Sequence, residues 1–205
     1  MSFTPVRTLL AAAALLGASF SSHATLIVNG DFEENFVASN DWAAFSSDAV
    51  AGWQGSNIEI WNALNGVLAV SGNNFIELNA HGSNTGAWSI FQTIATEVGR
   101  KYELSFYYRA RQNSNEVFDV SFARLSHTID NHTKAGWSFF SSIFTATSDS
   151  SVLGFTSRNT GTMGNLIDKV QLTAVPEPAS LAVFGAGLLA LVGGRRLRGN
   201  KAKAN

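Results

Sequence analysis

The chain has 205 residues, enough for one domain of ordinary size together with terminal processing segments. Hydrophobic residues make up 45% of it, which suits a packed core and argues against general disorder, whereas charged residues make up only 14%. The absence of cysteine excludes disulfides, thiolate metal sites and cysteine nucleophiles. Residues 25–175 carry eight Lys and Arg against fourteen Asp and Glu, and this acidic balance argues against a nucleic-acid partner.

The N-terminus has the pattern of a secretory signal peptide. Arg7 precedes an uncharged stretch rich in Ala and Leu from Leu9 to Phe20, and Ser22-His23-Ala24 follows. This order predicts a signal peptide over residues 1–24 and a mature chain that begins near Thr25. The alternative is an N-terminal anchor, for which the apolar stretch is short.

Apolar residues in the body, residues 25–174, recur with the period of two that is typical of strands. Turns rich in Gly and Asn separate these segments, and no alternation of strands with helices indicates a nucleotide-binding fold. The pattern therefore predicts one all-β domain, an antiparallel β-sandwich of eight to ten strands. The predicted strands include 26–29, 58–61, 74–78, 88–94, 103–109, 118–122, 136–145, 151–157 and 166–173.

Seven segments of the body carry a family resemblance: Leu26–Glu33, Gly52-Trp53, Phe75–Asn79, Ile90–Ile94, Gly99–Phe106, Phe144–Thr147 and Gly164–Leu172. In this order they resemble galactose-binding-like jelly-roll domains, which include many carbohydrate-binding modules and the family numbered 642 among domains of unknown function. The resemblance implies a jelly-roll β-sandwich that binds glycans without catalysis. Lys169 stands where the family usually has an acidic or amide residue.

The same resemblance implies a structural Ca²⁺. In such jelly rolls the terminal strands lie side by side and often hold this cation, which prefers carboxylate and carbonyl oxygens. Glu33 and Asp168 would supply side chains, and Asp31 a carbonyl or carboxylate oxygen. The alternative is that these acids cap turns and face solvent.

A sugar site needs an exposed aromatic ring beside planar polar groups. Trp61 lies opposite the isoleucines of its own strand, with Glu59 beside it, and Tyr107 and Arg109 lie opposite the apolar row of theirs. Trp88 is a poorer candidate because it falls on the same side of its predicted strand as Ile90 and Ile94. The alternative for each tryptophan is a place in the core.

No motif of a known reaction is present. The carboxylates of the body form no acid–base pair in sequence, and neither Gly-x-Ser-x-Gly nor His-Glu-x-x-His occurs. His81, His127 and His132 stand in polar, turn-like sequence that is typical of solvated loops. We therefore expect no catalytic residue and no enzymatic activity.

The C-terminal tail, residues 175–205, combines three elements in order. Pro176-Glu177-Pro178 comes first, an apolar run from Ala179 to Gly194 follows, and a cluster of arginines begins at Arg195. The run predicts a short transmembrane helix over residues 179–194 with its basic end in the cytoplasm. The tail resembles the PEP-CTERM sorting signal, which implies handling by an exosortase-type membrane enzyme in a Gram-negative bacterium that makes exopolysaccharide. A plain tail anchor is the alternative.

Together these features predict an exported, non-catalytic carbohydrate-binding or extracellular-matrix protein that associates with exopolysaccharide. It would be anchored transiently in the inner membrane and then reach the cell surface or the matrix. One alternative is a structural or adhesive surface protein without a sugar site, and another is a glycan hydrolase.

Overall fold

The computed structural model describes residues 25–80, 88–112, 116–131, 133–159 and 161–176. The predicted signal peptide and the predicted transmembrane helix lie outside these ranges. Within them, no helix is both long enough and apolar enough to cross a membrane.

Strands and two short 3₁₀ helices make up the regular structure of the described residues. The helices are Ser47–Ala49 and Leu64–Gly66. The strands are β1 (Asp41–Phe45), β2 (Gln54–Gly55), β3 (Ile58–Asn62), β4 (Asn74–Glu77), β5 (Ser89–Ala95), β6 (Lys101–Ala110), β7 (Phe118–Phe122), β8 (Leu125–Ile129), β9 (Ser138–Thr145), β10 (Ser150–Ser157) and β11 (Asn165–Ala174).

The strands form two antiparallel sheets. A six-stranded sheet has the order β1-β3-β4-β11-β6-β9, and a five-stranded sheet has the order β2-β5-β10-β7-β8. Strands far apart in sequence are neighbours in both sheets, as in β11 between β4 and β6. The predicted all-β antiparallel sandwich is confirmed.

Alternation along the strands builds the core between the sheets. The burial of β6 alternates residue by residue, and its Leu104, Phe106 and Tyr108 point inward. The Phe106 ring stacks on Phe140 at 4.8 Å and meets the Phe155 ring edge-on at 5.0 Å. Because rings from both sheets meet here, the core depends on pairings over long sequence distances.

The predicted first strand, 26–29, is wrong as regular structure. Asn29 and Phe32 have positive φ angles of 48° and 58°, which an extended strand does not allow. The segment still lies along β11, because the N–H of Leu26 donates to the carbonyl of Leu172 at 2.8 Å and Gly30 accepts from Val170 at 2.8 Å.

A second, smaller core lies on the outer face of the six-stranded sheet. Trp61, Phe75 and Leu166 project from β3, β4 and β11 on the side away from the main core. Residues 63–73, here called the covering loop, lie over them together with Trp137, whose Nε1 donates to the carbonyl of Leu68 at 2.9 Å. The outer face is therefore divided into a covered half and an open half.

Candidate functional site

The covered half holds two of the predicted sugar-binding residues. Trp61 and Glu59 do lie on the face of β3 opposite its isoleucines, but Trp61 is only 1% exposed and Glu59 is buried. The indole Nε1 of Trp61 donates to Glu59 Oε1 at 2.6 Å. The expectation that these side chains are exposed is wrong, because the covering loop lies over them.

Trp88 is also buried, in the strand position just before β5. Its carbonyl accepts the N–H of Ser157 at 2.8 Å. It has the same orientation as the buried Ile90 and Ile94, so the ring is part of the interior and cannot serve as an exposed platform.

A buried ionisable cluster lies beside Trp61 that the sequence did not reveal. Glu77 on β4 is the cross-strand neighbour of Glu59 on β3. Arg111 Nη1 donates to both oxygens of Glu77, at 2.8 and 2.6 Å, and its guanidinium lies 4.7 Å from the centre of the Trp61 ring. One arginine therefore joins a buried carboxylate to a buried indole.

Burial raises the pKa of Glu77 to about 8, although hydrogen bonds from Arg111 and from the N–H of Gly164 lower it and the nearby charge of Glu59 adds to the rise. Raised carboxyl pKa values are common at catalytic sites. Here Glu77 is only 1% exposed and Glu59 is also buried, so a substrate does not reach this pair. Its arrangement is that of a structural cluster.

The open half carries an exposed apolar surface on β6 and β9, here called the aromatic face, made of Tyr107, Phe139 and Ile143. Tyr107 and Phe139 are cross-strand neighbours, and their ring centres lie 4.9 Å apart at an angle of 49°. Phe139 is 56% exposed and Ile143 59% exposed, whereas Tyr107 is half-buried. The rings form a shallow surface that is open to solvent.

Polar side chains surround the aromatic face. Lys169 has a φ of 51° where the β6–β11 register shifts, and its Nζ lies 5.9 Å from the centre of the Tyr107 ring. Arg109 Nη2 donates to the carbonyl of Lys134 at 2.5 Å. On the other side, Ser141 Oγ donates to an oxygen of Glu103 at 2.6 Å.

The structure thus brings Tyr107 and Arg109 to one solvent-facing surface, as the alternation of β6 predicts. Their role in sugar binding stays a prediction. Phe139 and Lys169 join them there and were not identified as binding residues from the sequence. Rings that pack against the C–H face of a pyranose, with charged and amide groups at the rim for its hydroxyls, are the chemistry such a surface offers.

A groove of about 360 Å³ adjoins the aromatic face, between the edge strands β8 and β9. Phe139 and Phe140 line one side, and His127 and Asn131 line another. The hydroxyl of Tyr108 donates to Asn131 Oδ1 at 2.9 Å. Because Phe139 belongs to both surfaces, the groove continues the aromatic face around the edge of the sheet.

The carboxylates predicted to bind calcium have partners in the backbone. Asp168 Oδ2 accepts from the N–H groups of Val70 and Ser71 at 2.6 and 2.9 Å, and its Oδ1 accepts from Lys169 at 2.5 Å. These contacts attach the buried β11 carboxylate to the covering loop.

Glu33 holds the end of the covering loop in the same way. Its Oε1 accepts from the N–H groups of Asn73 and Asn74 at 2.7 and 2.6 Å. Gly72 beside it has a φ of 62°, and a Cβ there would lie 2.4 Å from a Glu33 carboxyl atom, so the turn requires glycine.

Both side chains predicted to bind calcium, Glu33 and Asp168, already accept hydrogen bonds from backbone N–H groups. Burial raises the pKa of Asp168 to about 6, and the charge of Asp31 makes a smaller contribution in the same direction. Three backbone hydrogen bonds act in the opposite direction and lower it. No group of three or more His, Cys, Asp or Glu side chains suited to a metal occurs among the residues that the structure describes. Calcium stays a prediction of the resemblance: a higher unfolding temperature in calcium than in EDTA would support it.

The sorting tail begins at the end of the described chain. Pro176 follows β11 and is exposed, whereas Glu177 and Pro178 lie outside the described residues. Residues 174–198 match the model of the PEP-CTERM protein-sorting motif. Fold and tail together define the class of protein: an exported β-sandwich protein with a PEP-CTERM sorting motif.

Residues 25–173 match the model of a family described as proteins of unknown function, DUF642. The chain belongs to this family, and the predicted resemblance is confirmed. No curated protein sequence matches the chain.

Solved structures similar to the chain contain β-sandwiches of carbohydrate-active proteins. The structure of an arabinose-bound α-L-arabinofuranosidase is 15% identical over 74% of this chain and 26% of that one, with a TM-score of 0.51, and it shares the fold. A family 4 carbohydrate-binding module is 18% identical over 73% of this chain and 99% of its own, with a TM-score of 0.45. The xylan-binding domain CBM22-1 from Paenibacillus barcinonensis is 14% identical over 76% and 97%, with a TM-score of 0.42.

Proposed function

We propose that the protein is a secreted, non-catalytic polysaccharide-binding protein and that the aromatic face is its binding surface. The observation that carries this proposal is the pair of half-buried Tyr107 and exposed Phe139, whose ring centres lie 4.9 Å apart among Arg109, Lys169 and Glu103. Exposed contiguous apolar patches on soluble proteins often mark binding surfaces.

The shape of the surface favours a chain over a single sugar. The aromatic face is open and follows β9 for several residues, from Phe139 to Ile143. A long ligand can place successive rings along such a surface, whereas a small ligand is usually enclosed in a cavity. The adjoining groove between β8 and β9 gives a bound chain a further place for hydroxyl contacts.

The absence of catalysis is part of the proposal. The two carboxylates that are neighbours across β3 and β4, Glu59 and Glu77, are both buried, and neither belongs to the aromatic face. A glycosidase needs its acid pair beside the scissile bond of the sugar. A polysaccharide held at Tyr107 would therefore not meet this pair.

The sorting motif supports a destination outside the cell. In the proposal, an exosortase-type enzyme processes the tail while the helix over residues 179–194 holds the protein in the inner membrane. The released protein then reaches the cell surface or the matrix, where exopolysaccharide is the ligand of appropriate chemistry.

The test compares Tyr107→Ala with Phe36→Ala. Loss of the Tyr107 ring removes one of the two rings of the aromatic face, so affinity for a polysaccharide selected on a glycan array should fall about tenfold or more. Phe36 is 89% exposed and has no part in the aromatic face, so Phe36→Ala is the control for loss of an aromatic ring elsewhere on the surface. Equal affinities of the two variants, both folded, would contradict the proposed site.

A further inference from the structure

Among the residues that the structure describes, no strand pairs with the outer edge of β9. β9 pairs with β6 on one side and forms the edge of its sheet among the described residues. Its eight residues, Ser138–Thr145, include neither a charge nor a proline. Proteins normally protect long edge strands with such residues or cover them, because an exposed edge pairs with another strand.

The exposed side chains of β9 are arranged symmetrically. Phe139 and Ile143 stand two residues before and two residues after Ser141, and all three point outward. A two-fold axis through Ser141, perpendicular to the sheet, places Phe139 of one copy opposite Ile143 of the second copy, and Ser141 opposite Ser141. Both exposed apolar side chains thus meet an apolar neighbour.

The inward side of β9 is complementary in the same register. Phe140 lies opposite Ser142, and Phe144 lies opposite Ser138, so each large ring meets a small side chain. Moving the centre of pairing to Ser142 would place Phe140 against Phe144 and separate the outward apolar pair. A slip that changes the pairing by one residue would put outward side chains opposite inward ones.

We infer that a second copy of this chain docks on β9 by antiparallel β9–β9 pairing, which joins the two six-stranded sheets into one. Because β9 carries no charge, it offers no ion pair to a charged partner of another kind. Its side chains are instead complementary to those of β9 in a second copy. This interface does not depend on glycan binding. The second copy would occupy the groove beside β8, which is open only in the monomer, but it would bring two aromatic faces into one continuous surface and so increase avidity for a long chain.

The first test uses cysteine trapping in residues 25–176, which contain both sheets and the core between them. The protein has no cysteine, so Ser141→Cys introduces a single thiol. Residues on the axis of an antiparallel pair have Cα atoms about 4.5–5.5 Å apart, within the range of a disulfide. Mild oxidation should give a covalent dimer of Ser141→Cys and none of Thr173→Cys, whose thiol lies on the central strand β11. Equal crosslinking of both variants would overturn the register.

The second test uses charge. Ser141→Lys and Ser141→Glu each place like charges opposite one another, so each alone should associate at least about tenfold more weakly in sedimentation than the wild type. An equal mixture of the two should restore the dimer, whereas Thr173→Lys should behave as the wild type. A monomeric wild type, or a mixture no more dimeric than either variant, would overturn the proposal.

Discussion

Replacing Arg111 with methionine is expected to lower the free energy of unfolding by about 3 kcal/mol at alkaline pH and by much less in acid. At alkaline pH the variant must either keep Glu77 protonated or bury its charged carboxylate without a partner, because Arg111 normally lowers the pKa of this group. It also removes the cation beside the Trp61 ring. Below the pKa, Glu77 is protonated and the loss of its partner costs less.

The sign of the pH dependence follows from the raised pKa. The folded state holds the Glu77 proton up to about pH 8, whereas the unfolded state releases it near 4.5. The stability contributed by this shift is therefore fully present below pH 4.5 and is lost as the pH rises through 8.

The prediction is tested by measuring the free energy of unfolding of four proteins in denaturant across this pH range. The wild type, Arg111→Met, Glu77→Gln and the double variant form a cycle that isolates the pair. Glu77→Gln should flatten the pH profile, and in the Arg111→Met background it should restore stability at alkaline pH. A destabilisation by Arg111→Met that is equal in acid and alkali would contradict the assignment.

Asp168→Ala is expected to lower the free energy of unfolding by about 3 kcal/mol at neutral pH, because three backbone N–H groups lose their acceptor. Two of these groups belong to Val70 and Ser71 in the covering loop, so the loop should also detach from the sheet. Asp168→Asn retains one acceptor oxygen but turns an N–H₂ group toward backbone donors, and it should fall between alanine and the wild type.

Unfolding free energies together with amide exchange of residues 63–73 test this second expectation. Asp149→Ala, an exposed aspartate replaced in the same way, is the control and should change stability by less than about 0.5 kcal/mol. Faster exchange in the covering loop with β10 unaffected is the predicted pattern. An Asp168→Ala variant as stable as Asp149→Ala would show that the loop is held by other contacts.

The architecture could be read from the sequence where side chains alternate cleanly. β6 and β7 were predicted because apolar and polar residues alternate along them. β8 was missed because only the two ends of Leu125–Ile129 are apolar, and β2 because two residues carry no period. The first segment was predicted as a strand because its apolar residues do not reveal the positive φ of Asn29.

The candidate site was only partly predictable for a different reason. Alternation placed Trp61 and Tyr107 correctly on the faces opposite their apolar rows, but exposure depends on the covering loop, which only the tertiary structure places over Trp61. Phe139 was missed because β9 has aromatic residues on both faces, so its sequence does not indicate which ring is outward. Glu77 and Arg111 are 34 residues apart, and no local pattern joins them.

The family resemblance predicted where Glu33 and Asp168 lie but not which groups they contact. The resemblance assigned Glu33 and Asp168 to a shared calcium site, and both lie near the place where the first segment runs along β11. Both side chains accept hydrogen bonds from one loop, at two different places, and a motif alone does not reveal this.

The most direct test of polysaccharide binding by the aromatic face is a map of NMR chemical-shift changes on residues 25–176 as a bound oligosaccharide is titrated. The account predicts that the largest changes fall on β6 and β9, around Tyr107, Phe139 and Lys169, and continue into the groove beside β8. Changes confined to the outer surface of the five-stranded sheet, or a folded protein that binds no glycan, would contradict it.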